Sequence, residues 1–160
     1  MRLVEQVVAT TDPDPKALAC YGVCFPASEE VWLRFLDGRP VSAVTTIFLD
    51  WCAHEAAARC MRVLALVWDN ASWHRSKAVR RWVRAHNQQV KASEQGVRLL
   101  ICRLPVKSPW LNPIEPKWGH TKRRVVEPDR LLPARELAER VCDALECTYH
   151  AHIPIPQQVA

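Results

Sequence analysis

No stretch of this chain approaches the roughly 18–20 consecutive apolar residues that a bilayer-spanning helix requires. That excludes an integral helical membrane protein. The first eleven residues carry Arg2 and Glu5 and no compact apolar core, so no secretory leader is expected there and a cytoplasmic location follows. No CxxC pair occurs, although seven cysteines are present: Cys20, Cys24, Cys52, Cys60, Cys102, Cys142 and Cys147. An odd number scattered among apolar neighbours does not make a disulfide framework in a reducing compartment; such cysteines act as small hydrophobes. Zinc held by Cys20-x3-Cys24 with His150 and His152 would need a spacing unlike the usual ligand sets. Internal repeats and low-complexity segments are absent as well.

What is there describes a soluble globular protein. The 160 residues are 49% apolar and 24% charged, enough for one domain with a core of useful size. That domain is expected over residues 1–150, with 151–160 as an extended, loosely held tail. The net charge of +5 is unevenly spread. Residues 1–61 hold five basic and eight acidic side chains, and residues 62–160 hold 17 basic and nine acidic. A basic half of this kind fits a polyanionic partner such as nucleic acid, although a solvated helix surface has the same composition.

Periodicity orders the chain as strand, strand, helix, strand, helix, strand, helix, helix. Residues 16–24 and 31–35 read as short strands around a turn at 26–28. Ser42 is placed to cap a helix running to about Arg59, whose buried face would hold Val44, Ile47, Phe48, Trp51 and Cys52. The apolar run 63–68 reads as a fully buried strand, and 69–75 as a loop. Ser76 would cap the next helix, which buries Val79, Trp82, Val83 and Val90. Gly96 ends that unit and 97–102 forms a further strand. A proline-punctuated loop then leads to a helix starting near Pro113, and a last helix spans 134–147 with Leu137, Val141 and Leu145 on one face. Strands alternating with helices define an α/β protein with a mixed sheet flanked by helices. Ligand sites in such sheets gather at the carboxyl ends of strands.

Asp69 sits at such a strand end, and Glu115 opens the helix after Pro113. Carboxylates so placed can converge on a divalent cation, as phosphodiester cleavage requires. Both have a plainer reading. Asp69-Asn70 is ordinary turn chemistry, while Asn112 as N-cap and Pro113 at the first helical position put Glu115 where a capping-box glutamate lies. His74 offers a base or orienting group, and Asn70 a hydrogen bond to water or phosphate. Arg75, Lys107, Lys117, Lys122, Arg123 and Arg124 are candidate phosphate contacts, with 122–124 the densest cluster. Trp110 and Trp118 could stack on bases, or belong to the core.

Residues 68–76, WDNASWHRS, and residues 104–118, LPVKSPWLNPIEPKW, together resemble the catalytic domain of mariner-like insertion-sequence transposases of the DDE superfamily. The second segment is the more specific, with Leu104-Pro, Ser108-Pro and Leu111-Asn-Pro-Ile-Glu115 followed by Trp118. The similarity extends over about residues 16–124, and 126–143 agrees less specifically. It implies an RNase H-like fold, three metal-binding carboxylates, Mg²⁺ or Mn²⁺ as cofactor, and DNA, as transposon ends and target, as the partner. By position Asp69 matches the second carboxylate and Glu115 the third.

The first is not found. It belongs on a strand ahead of the hairpin, yet only 15 residues precede residue 16 and 2–9 contain no Asp. Asp12 and Asp14 lie among prolines that argue against a central strand, and Asp50 falls in a helix. The expectation is therefore an N-terminally truncated catalytic domain lacking the first strand, weak or inactive alone. It would work as a homodimer or beside a complementing N-terminal fragment. In the complete enzyme the resemblance implies two-metal cleavage and strand transfer. The rival readings are a non-catalytic DNA-binding remnant or partner protein, and an RNase H-type nuclease using Asp12 or Asp14.

Overall fold

In a computed structural model of the chain, residues 18–106, 108–125 and 132–156 are described. Their contacts gather into two compact units. One comprises the described residues of Met1–Phe35 and Pro113–His152, the other those of Leu36–Asn112 and Ile153–Ala160. Both mix strand and helix, so the α/β expectation holds at that level. No helix among the described residues is long and apolar enough to cross a membrane.

The first unit begins with strands β1 (Ala19–Cys24) and β2 (Val31–Leu36), which pair in a two-stranded sheet. Their six-residue connector is too short for a parallel crossover, so the pair is a hairpin. Phe25 N–H donates to Glu30 O at 2.9 Å to close it, and the Phe25 and Trp32 rings meet at 4.5 Å. β2 is rich in β-branched and aromatic residues and is almost wholly buried, as suits a strand packed on both faces.

Two helices complete this unit, here α4 (Ile114–Val125) and α5 (Ala134–Leu145), numbered after three helices of the second unit. They pack on each other, and α4 also packs on β1. The core holds Leu33, Phe35, Ala138 and Cys142, with Leu18, Cys20, Trp118, Val141, Leu145 and Cys147 around it. Gly22 lets α4 come close: a Cβ there would lie 2.7 Å from Ile114 Cδ1 and 3.0 Å from Trp118 Cζ2. Gly22→Ala is expected to cost about 1–3 kcal/mol through overpacking. A shift of the urea midpoint checks it, and a neutral result would mean that α4 can slide off the strand.

The second unit runs through α1 (Ser42–Ala58), β3 (Val63–Trp68), the single turn α2 (Ser72–Arg75), α3 (Lys77–Ser93), β4 (Arg98–Arg103) and a short 3-10 turn at Pro109–Leu111. β3 and β4 are parallel, with Val63 opposite Arg98 and Trp68 opposite Arg103. α1 packs on α3 and β3, and α3 on β4. Arg98 N–H donates to Arg62 O and Leu104 N–H to Trp68 O, each at 3.0 Å. Even-numbered residues of β3 thus carry the ladder, and the backbone groups of Val63, Ala65 and Val67 point to the outer edge.

β4 has the start of its outer edge closed by side chains of α3. Asn87 donates from Nδ2 to Leu99 O and accepts from Leu99 N–H, both at 2.8 Å, and His86 Nε2 lies 2.8 Å from Val97 O. An amide side chain here takes the place of a neighbouring strand.

Several sequence expectations need correction. Ser42 does not cap α1: the N-cap is Val41, with no side-chain bond, and Ser42 is already helical. The stripe that α1 buries is Val44, Thr45, Phe48, Leu49, Cys52, Ala53 and Ala56, leaving Ile47 38% exposed. The true stripe includes alanines, whose small side chains let neighbours approach but give only a weak hydropathy signal.

β3 is half-buried rather than fully buried. Leu64 and Leu66 face the helices, while Val63 and Val67 are 47% and 51% exposed. An apolar run cannot by itself report whether both faces are covered.

Residues 69–75 are not all loop, because α2 occupies their second half. Only Val79 of the expected stripe on α3 is buried; Trp82, Val83 and Val90 are half-buried. Ser76 does cap α3, accepting from Val79 N–H at 3.1 Å. α5 stops before Cys147.

The tail is not loosely held at Ile153, which is fully buried and bridges Leu36, its carbonyl accepting from Asp37 N–H at 3.1 Å. Residues 16 and 17 of the first expected strand, Asp12, Asp14 and Lys107 lie outside the described residues.

Candidate active site

Asp69 stands at the carboxyl end of β3 and opens the segment 69–71. Its Oδ1 is held twice: Ala71 N–H donates to it at 2.9 Å, and His74 Nδ1 lies 2.8 Å away. The first bond is a local Asx turn, which an Asp two residues before the donor N–H makes readily. The second comes from α2, a single turn that returns the chain so that residue 74 faces residue 69. Oδ2 has no partner among the described residues, and the Asp69 side chain is 53% exposed.

His74 is itself fixed by aromatic packing. Its ring stacks on Trp68 with centroids 4.7 Å apart and planes 4° from parallel, and meets the edge of Trp73 at 6.0 Å. The Trp68 indole N–H is buried with no acceptor among the described residues, so stacking rather than hydrogen bonding fixes that ring. Burial lowers the His74 pKa below its ordinary value, outweighing the opposite pull of the Asp69 carboxylate. A neutral imidazole that donates Nδ1–H can orient Asp69 without cancelling its charge.

Asn70 turns inward. Its Nδ2 donates to Leu104 O at 2.8 Å, tying the chain after β3 to the chain after β4. Arg75, at the end of α2, is exposed.

Glu115 belongs to the other compact unit. It lies in the first turn of α4, exposed, with no hydrogen-bond or ion-pair partner among the described residues. Lys117 stands 3.9 Å from Glu29 Oε2. Lys122, Arg123 and Arg124 form the exposed last turn of α4, where cations complement the helix dipole. Arg123 Nη2 lies 3.3 Å from His120 Nδ1, and Arg124 Nη1 donates to Ala144 O at 3.4 Å. Trp118 packs against the core of this unit, whereas Trp110, in the second unit, is 73% exposed.

The second unit thus brings together Asp69, Asn70 and His74 with Trp68 and Trp73; the first gathers Lys117 and 122–124 along the helix that carries Glu115. Sequence reasoning missed the Trp68 stack and the Asn87 brace. The stack had a local signal, Trp68 and Trp73 flanking a turn with His74 directly after the second. The brace had none, because Asn87 and Leu99 are twelve residues apart.

Carboxylate oxygens and a hydrogen-bonded orienting group suit a hard divalent cation. Among the described residues, however, no group of three or more His, Cys, Asp or Glu side chains is disposed to hold a metal ion. The donors fit as part of a site, with further ligands still to be supplied.

An α/β chain with an oriented carboxylate at a strand end and a basic helix has the make-up of a protein that works on a polyanion. Residues 32–137 match the family model of the DDE superfamily endonuclease, and the chain belongs to that family. The match spans the segment carrying both Asp69 and Glu115 and makes DNA the implied substrate class. No curated protein matches the chain.

Proposed function

We propose that this chain is the catalytic part of a mariner-like insertion-sequence transposase with an RNase H-like fold, which cleaves and joins DNA during transposition. The observation that carries the reading is Asp69, held at the end of a parallel strand by His74 and Ala71 N–H inside a DDE endonuclease match. Asp69 and Glu115 would hold Mg²⁺ or Mn²⁺, which often binds one or two carboxylates and keeps several waters. When bound, the ion supplies charge stabilisation at the phosphate and acidifies an attacking water or 3′-hydroxyl. His74 keeps Asp69 oriented. Lys117, Lys122, Arg123, Arg124, Arg75 and Lys107 neutralise DNA phosphates, and Asn70 holds the loop on which Asp69 stands.

A third carboxylate, on a further strand, completes the site. Among the described residues Asn87 and His86 cover the start of the outer edge of β4, and the outer edge of β3 is the place we assign to that strand. With Asp69 and Glu115 as its only carboxylates the site would hold the metal weakly and cleave slowly.

The test is incubation of the chain with supercoiled DNA in Mg²⁺ or Mn²⁺. Little nicking is expected. Robust nicking that Asp69→Ala or Glu115→Ala abolishes would overturn the missing-carboxylate part and keep the metal assignment. Robust nicking that survives both substitutions would overturn the assignment itself.

A second reading, a DNA-binding remnant without catalysis, is favoured by the basic last turn of α4. It predicts DNA binding that Asp69→Asn leaves unchanged. Replacing Lys122, Arg123 and Arg124 with alanine should lower the salt dependence, each lost phosphate contact reducing the slope by about one. Such binding without metal uptake at Asp69 would decide for this alternative.

A further inference from the structure

Three thiols to which no role is given above meet in the first unit. Cys142 is buried in its core, and Cys20 and Cys147 pack against it. The Cys142 and Cys147 thiols hydrogen-bond each other.

They meet because of how α5 ends. Glu146 takes a left-handed conformation, φ 53°, and the chain folds back on the last turn. Cys147 N–H donates to Cys142 O at 3.0 Å and Glu146 N–H to Asp143 O at 3.2 Å. This pair of bonds is the Schellman ending, which brings a residue beyond the helix onto one in its last turn and commonly seats an apolar contact there. Here the two contacting side chains both end in sulfur.

Small hydrophobes would fill the same space, but the thiols are chemically unequal. Cys142 donates its S–H to Cys147, which lowers the Cys147 pKa in spite of burial. The same bond, with burial, raises that of Cys142. Burial pushes Cys20 up to about 12. Cys147 is also the more accessible of the hydrogen-bonded pair, half-buried where Cys142 is buried. One accessible thiol favouring its thiolate, with a second thiol in contact behind it, is the arrangement of an attacking and a resolving cysteine. No metal-holding group of three is found among the described residues, so these thiols are not read as ligands.

We propose that Cys142 and Cys147 form an oxidation site that a peroxide closes to a disulfide. The Cys147 sulfur attacks the peroxide, the O–O bond breaks, one oxygen stays on sulfur as the sulfenic acid, and the other leaves as water. The Cys142 sulfur then attacks the Cys147 sulfur. The S–S bond forms, the S–O bond breaks, and the hydroxyl leaves with the Cys142 proton as a second water. Two thiols give up two electrons and one peroxide takes them. The product clamps the end of α5, the helix on which α4 packs.

The experiment treats the reduced full chain with hydrogen peroxide, quenches with iodoacetamide and digests with trypsin. Residues 141–160, which follow Arg140, form one peptide containing both cysteines. That peptide is expected to lose two hydrogens, to resist alkylation, and to recover both thiols with dithiothreitol. Exposed Cys60 and Cys102 are internal controls for unassisted oxidation.

Full alkylation of 141–160 when Cys60 and Cys102 are already oxidised would overturn the proposal. So would Cys147 cross-linked to Cys20 instead of Cys142. In Cys142→Ser, Cys147 should stop at a sulfenic acid that dimedone traps. Should that core variant fail to fold, Cys147→Ser tests the same assignment. Its Cys142 should resist peroxide, and oxidation at the rate of the unaltered chain would refute Cys147 as the attacking thiol.

Discussion

Asp69→Ala is expected to abolish divalent-cation binding at the end of β3, and His74→Ala to weaken it by about 10–100-fold. The two effects have different origins. Asp69 would supply the ligand oxygen itself, so its loss removes the charge that holds the ion. His74 acts through Asp69: its Nδ1 lies 2.8 Å from Oδ1, and its ring is clamped by Trp68 at 4.7 Å. Without it the carboxylate keeps only the Ala71 N–H at 2.9 Å and can rotate.

Calorimetric titration with Mn²⁺ measures both substitutions. His74→Asn, which can still offer a donor, should recover part of the loss, whereas a role in packing alone would not be rescued. Wild-type affinity in His74→Ala would show that the histidine does not position the carboxylate. Wild-type affinity in Asp69→Ala would move the metal elsewhere.

Asn87→Ala is expected to cost about 2–4 kcal/mol of stability, since it leaves a buried N–H and a buried carbonyl unpaired together. Both belong to Leu99, only 1% exposed, and each is 2.8 Å from the Asn87 amide. Asn87→Asp keeps the acceptor for Leu99 N–H but sets a carboxylate oxygen against Leu99 O. It should therefore also destabilise, and less so in acid, where the protonated carboxyl can donate. Urea unfolding followed by tryptophan fluorescence reads these changes. A second consequence is aggregation, because removing the amide opens the β4 edge to other strands. A stable, monomeric Asn87→Ala would mean that water or a rearranged neighbour satisfies Leu99.

Much of the architecture was legible because local chemistry encodes it. Ser76 caps α3 as its place before the helix predicts, and β3 covers the apolar run 63–68 without change. Asp69 at a strand end and Glu115 in a first helical turn also follow from their immediate neighbours. The mistakes are of another kind. The stripe of α1 was centred on large residues, whereas Ala53 and Ala56 are buried and Ile47 is not. The odd-numbered residues of β3 proved exposed, and Ile153 in the expected loose tail proved fully buried.

By itself, then, the order of residues determined the sequence of strands and helices apart from the single turn α2, the ends of several of them, and the two acidic positions that the family match encloses. Caps, periodicity and turn preferences act over a handful of neighbouring residues, so they can be read along the chain. Only the tertiary structure decided which face of each element is covered, that His74 and Trp68 brace Asp69, and that an asparagine on α3 seals β4. Those outcomes depend on groups brought together by packing, and burial is a property of the neighbours that arrive rather than of the residue that waits for them.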